Sequence, residues 1–138
     1  MAFEHAGQVI TMYTTENLSA KKYHPISVNG SGNAILAVTA EGFSLGVLQN
    51  NTSTAGGACS VMIFGVTKAA KISTATTGID ERDAITVGST LGGFLPSSGG
   101  VYILGRALTP ITTVTTGYFS MLITHEGAAS SQKYVGPA

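Results

Sequence analysis

The chain has 138 residues, of which 43% are hydrophobic and only 10% charged, and its formal net charge is zero. That length makes one domain with enough interior for a core of its own, and neutrality excludes the electrostatic footprint of a nucleic-acid or acidic-membrane binder. Globular proteins carry about a quarter charged residues, so this surface is expected to be covered by partners or wetted by Thr, Ser and Asn side chains.

In chain order, the start (MAFEH) lacks a basic stretch ahead of an apolar core, so no signal peptide is expected. Residues 8–13 (QVITMY) alternate polar and apolar side chains, the period of a half-buried strand. Residues 14–23 (TTENLSAKKY) are polar and read as a loop or one helical turn. A strand follows over 24–28, with Pro25 suited to its first position or to a sheet edge. NGSGN at 29–33 predicts a turn, because Asn and Gly tolerate positive φ. Apolar runs at 34–39 and 43–48 flank Glu41-Gly42, and a loop over 49–57 leads to a long strand over 58–67.

The second half repeats this logic. After a loop at 74–78, IDERD at 79–83 predicts an exposed turn and 84–87 a short strand stopped by Gly88. Phe94-Leu95 is a short element between glycine turns, and strands are expected over 101–108 and 119–125. The tail, 127–138 (GAASSQKYVGPA), is poor in core residues and reads as an arm, flexible or ordered by a partner. Any helix would be one short piece, near 15–22 or 80–84. Strands spaced by about 8–12 residues with Gly and Asn turns predict a small all-β sandwich or barrel of antiparallel strands. No apolar run approaches the roughly 20 residues of a membrane-spanning helix.

Two stretches resemble each other, GVLQNNTSTAGGACSVMIFGVTKA at 46–69 and GRALTPITTVTTGYFSMLITHEG at 105–127. Each runs from a glycine and a short apolar pair, through a polar loop, to a second glycine and an alternating strand. Two copies are too few for a solenoid or propeller, so the reading is one β domain built on two similar strand–loop–strand elements.

Catalytic chemistry is not visible. His5, His24 and His125 are dispersed, with no partner at metal-ligand spacing. Cys59, the one cysteine, sits among small and apolar residues and reads as a buried thiol. Asp80, Glu81 and Asp83 lack the spacing of a calcium loop and enclose Arg82. The Gly-rich segments are followed by neither a phosphate-loop lysine nor a nucleophile elbow. A non-enzymatic protein without cofactor or metal is expected.

The order of a strand from about residue 8, then GVLQNN, a polar connection, ACSVMIFGVTKA, the short strand DAITV, a Gly turn, VYILGRAL and a closing strand resembles the capsid decoration (cement) proteins of tailed bacteriophages. The resemblance covers roughly residues 7–126. It implies a small β-barrel or sandwich of the β-tulip kind with extended terminal arms. It also implies a structural virion protein on the outer capsid surface, made in the host cytoplasm. Its expected partners are the major capsid protein, whose neighbouring subunits it would clamp, and itself, as a homotrimer; nucleic acid and membrane are not expected. The domain reading is an arm over 1–8, a β domain over 9–126 and a tail over 127–138. Candidate capsid-binding residues lie at the start: Ala2, Phe3 as apolar anchor, Glu4 and His5 as polar contacts, then Gln8 and Val9, able to add a strand to a sheet edge. The tail with Tyr134 and Pro137 is a second candidate arm. The competing reading is a virion-displayed β-module, a head fibre or tail component, that binds carbohydrate or receptor.

Overall fold

The computed structural model describes residues 5–39, 42–52, 56–73, 78–88, 93–97, 102–111 and 117–128. Among them it shows no helix, and its antiparallel strands curl into a half-barrel. The strands are β1 (His5–Tyr13), β2 (Pro25–Val28), β3 (Ala34–Leu36), β4 (Gly46–Leu48), β5 (Ala58–Lys71), β6 (Ala84–Val87), β7 (Phe94–Pro96), β8 (Tyr102–Ala107) and β9 (Tyr118–Ala128). The sheet order β3-β2-β4-β5-β9-β8-β6-β7, with β1 also on β5, reads the same way outward from the β5–β9 pair.

That palindrome reflects one unit used twice. In the first, the hairpin β2–β3 pairs Ser27 with Ile35, and β2 meets β4 at Ile26↔Gly46. In the second, the hairpin β6–β7 pairs Thr86 with Leu95, and β6 meets β8 at Ile85↔Gly105. Backbone bonds outside the ladders recur too. Leu48 N–H donates to His24 O and Ala107 N–H to Asp83 O, both at 3.0 Å. Gln49 N–H donates to Ser60 O at 2.7 Å, and Leu108 N–H to Ser120 O at 2.8 Å. Parallel bridges Thr14↔Ala34 and Ile72↔Phe94 complete the correspondence.

The units share β5. Its first part pairs with β1, from Tyr13↔Ala58 to Val9↔Met62, as its last part pairs with β9, from Lys71↔Tyr118 to Val66↔Leu122. The final strand of the first unit is thus the opening strand of the second, with no linker between them. Both long strands kink at matching places, Gly65 (φ 115°) and His125 (φ 53°).

Glycine is required where the two units close on themselves. A Cβ on Gly46 would overlap the Met62 carbonyl oxygen, and one on Gly105 the Leu122 carbonyl oxygen. Only a residue without a side chain lets β4 and β8 lie this close to β5 and β9. This is why both similar stretches begin with glycine.

Two adjoining cores result, one around Leu18, Ile26, Leu48, Cys59 and Val61, the other around Ile85, Phe94, Leu104, Phe119 and Met121. Matching positions exchange bulk: Ala34 corresponds to Phe94 and Leu48 to Ala107, all of them at most 0% exposed. A small residue on one element against a large one on its neighbour keeps each interior filled.

The strands expected from sequence are present with altered ends. β2 starts at Pro25, the first-position placement the ring favours, and β6 spans the four expected residues. β5 continues past Thr67 to Lys71 through a bulge, and β9 runs to Ala128, so the first residues of the expected tail are strand. β3 and β4 are shorter than their apolar runs; past Leu36, Ala37 N–H still donates to Pro25 O at 3.0 Å, but Pro25 has no N–H to return, so the β2–β3 ladder ends there. Neither stretch that could have been helical is. Ala20 (φ 61°), Tyr23 (φ 72°) and Arg82 (φ 72°) interrupt them with left-handed residues, and His24 N–H closes a turn on Lys21 O.

Candidate binding surface

The candidate residues at the chain start fall on β1. His5 stands opposite Val66, Gln8 opposite Phe64 and Val9 opposite Met62. Strand β1 begins at His5, so residues 5–8 of the expected arm are already sheet, while Ala2, Phe3 and Glu4 lie outside the described residues, as do Tyr134 and Pro137. The register slips between His5 and Gln8 and again between Gln8 and Val9. Between them, a Cβ on Gly7 would strike the Phe64 carbonyl oxygen, so the slip needs glycine.

Along its other edge β1 has no second strand among the described residues. A row of outward N–H and C=O groups is a template for another chain. Two large apolar side chains stand exposed on this strand, Val9 at 46% and Tyr13 at 63%, among exposed polar Gln8 and Thr11. Such an edge on a free monomer invites association unless a partner covers it.

A row of rings crosses from the first unit to the second. Phe43 packs on Tyr102 (5.0 Å between centroids), Tyr102 on His125 (6.1 Å) and His125 on Phe64 (5.1 Å), each edge-to-face. His125 is the node. One ring nitrogen, Nε2, lies 2.8 Å from the Ile63 carbonyl oxygen, which can only accept, so Nε2 carries the proton. In the neutral ring Nδ1 then accepts from the Tyr102 hydroxyl at 2.7 Å. Burial holds the Tyr102 phenol above its usual pKa, in keeping with a hydroxyl that donates. The kink at His125 aims the imidazole along this row, and the ends of the row, Phe43 and Phe64, remain in solvent. Nearby, Arg106 forks onto Glu126 with Nη2–Oε1 at 2.7 Å and Nε–Oε2 at 2.9 Å. That hydrogen bond holds the Glu126 carboxyl below its ordinary value.

Nothing among the described residues forms a metal-binding group. Cys59 is fully buried, its sulfur 3.7 Å from the Thr52 hydroxyl. His24 is buried just ahead of β2, its Nδ1 3.4 Å from the Lys22 carbonyl oxygen. The Asp80–Asp83 turn closes on itself: the Asp83 carboxylate accepts from Asp80 N–H at 2.8 Å. The ring row is not legible in the sequence, because Phe43, Phe64, Tyr102 and His125 come from four separate segments. A local signal existed in His125 itself, a polar residue in the place where the first unit has glycine.

A scan against protein-family models and a search of curated proteins both find no match to this chain.

Proposed function

We propose that this chain is a structural virion protein that binds the outer surface of an assembled tailed-phage capsid. There it clamps neighbouring major capsid subunits, acting as a homotrimer and not as an enzyme. The observation that carries the reading is the outer edge of β1, unpaired among the described residues and flanked by exposed Val9 and Tyr13, on a chain with only 10% charged residues. A sheet edge of this kind suits attachment by strand addition, main chain to main chain, with alternate side chains for specificity. A shell offers many identical positions, so modest contact per copy sums to large stabilisation. A closed trimer would also cover part of the apolar surface.

The test is cosedimentation with capsid shells stripped of decoration, in expanded and unexpanded forms, alongside the Val9→Asp variant. Saturable pelleting with expanded shells at a fixed ratio, weakened in the variant, is the expected result. No pelleting with either form sinks the reading. Sedimentation velocity of the free protein tests the trimer.

A second reading, a virion-displayed module for carbohydrate or receptor, draws on a different place: an open cleft between Tyr23 and Tyr118.

A further inference from the structure

The cleft lies where the turn before β2 meets the β5 bulge and the start of β9. It measures about 510 Å³ and is lined by Tyr23, Lys68, Ala69, Pro110, Tyr118 and Ser120, among others. That volume is within the range of small-molecule sites and holds one or two sugar rings. The two tyrosine rings meet edge-to-face with centroids 5.8 Å apart. Tyr118 is 51% exposed, so its ring is open to a ligand.

Cations gather at this cleft. Lys71 Nζ sits 5.2 Å from the Tyr118 centroid and Lys22 Nζ 4.9 Å from that of Tyr23. Lys68 lines the cleft directly. Lys21 and Lys71 lie close enough to His24 for their charges to bear on it. None of these four lysines has a carboxylate partner among the described residues, where the one ion pair is Arg106–Glu126. The chain is neutral overall, so this is a segregated patch that a net charge conceals.

The walls are fixed. Lys68 stands in the irregular stretch between Thr67 and Ala70, where an extra residue leaves the ladder and turns its side chain aside. The Thr67 hydroxyl donates to Ala69 O at 2.8 Å, and the Ser120 hydroxyl donates to Lys68 O at 2.8 Å. Lys71 N–H donates to Tyr23 O at 2.9 Å, which ties the two sides of the cleft together. Among the described residues, the polar side chains that line the cleft are the two phenols, the Lys68 ammonium and the Thr109 and Ser120 hydroxyls, with the Lys22 and Lys71 ammonium groups over the phenol rings; every one of them can donate and none is a carboxylate.

From this we infer that the Tyr23–Tyr118 cleft binds an acidic saccharide, one carrying carboxylate or sulfate groups. Aromatic rings offer a flat face to the apolar side of a sugar ring, and the surrounding ammonium groups supply the charge its acid needs. The confined volume favours such a ligand over a nucleic-acid strand, which needs a groove that tracks a backbone. The inference deepens the carbohydrate-binding reading, and it holds with or without attachment to a shell.

The test is titration of the isolated protein, followed by NMR, with a sulfated heparin disaccharide, digalacturonate, its neutral counterpart galactobiose, inorganic sulfate and a tetraglutamate peptide. Tyr118→Ala, exposed and outside the core, and the double variant Lys68→Gln/Lys71→Gln run in parallel, with dispersion of the spectra reporting their folding. The expected result is saturable binding of one acidic disaccharide with shifts at Lys68 and Tyr118. Affinity falls at least tenfold in each variant and falls with added salt. Equal binding of galactobiose keeps a carbohydrate site and overturns the preference for acid. Equal binding of sulfate or tetraglutamate overturns saccharide recognition, and no saccharide binding at all overturns both the inference and the carbohydrate reading.

Discussion

Tyr23 and Arg82 share one backbone geometry at matching places in the two units. Both have φ of 72°, and each donates its N–H at 2.7 Å to the last residue of the neighbouring short strand, Leu48 or Ala107. A left-handed conformation costs a residue with a Cβ about 1 kcal/mol. Arg82 is exposed, so Arg82→Gly is expected to leave stability unchanged or raise it by up to about 1 kcal/mol, after the added freedom of the unfolded chain is deducted. Tyr23→Gly is expected to lower it, because that ring packs on Tyr118. Thermal melts of the two variants would check the contrast.

Gly46→Ala and Gly105→Ala are each expected to destabilise by about 2–3 kcal/mol, since the new methyl would collide with backbone that cannot yield. Gly30→Ala serves as the control. Nothing lies within 4 Å of the Cβ it would add. Urea midpoints that fall for the first two and hold for the third would support the close approach of β4 to β5 and of β8 to β9.

The Thr86 hydroxyl is buried in β6 with no hydrogen-bond partner among the described residues. An unsatisfied buried hydroxyl costs about 1–3 kcal/mol. Thr86→Val keeps the shape and removes the polar atom, so denaturant melts should show a gain of about 1 kcal/mol.

Acid should weaken the fold through His24. Its burial pushes its pKa below the ordinary 6.5, outweighing the bond to the Lys22 carbonyl that raises it, and the charges of Lys21 and Lys71 add smaller lowering effects. The folded state therefore binds fewer protons than the unfolded chain just below pH 6.5. This contribution is fully present above that pH and is lost as pH falls toward the folded value. His24→Gln should flatten the pH dependence in that window. The Glu126 carboxyl, held low by Arg106, adds a second loss at lower pH, below its ordinary 4.5. That pair is largely exposed, so Arg106→Ala is expected to cost under about 1 kcal/mol.

The alternation of QVITMY, the NGSGN turn and the β-branched runs made the strands and the all-β class legible. The two glycine-led stretches also announced the repeated unit. The sharing of β5 was not legible, because Gly65 and Lys68 look like punctuation when they are a kink and a bulge inside one strand. The lysine patch escaped for a different reason. Lys21 and Lys22 are brought toward Lys68 and Lys71 by the backbone bond from Lys71 to Tyr23 and the packing of Tyr23 on Tyr118, long-range contacts that composition does not encode.

Because β5 serves both halves, the molecule has no seam at which one half could be cut free or stretched open first. Pulling on the ends loads β1 and β9, and both are bonded to the one strand β5, so the force crosses the two halves together. The expected response is one abrupt rupture at one force, where two tethered domains would give two smaller steps.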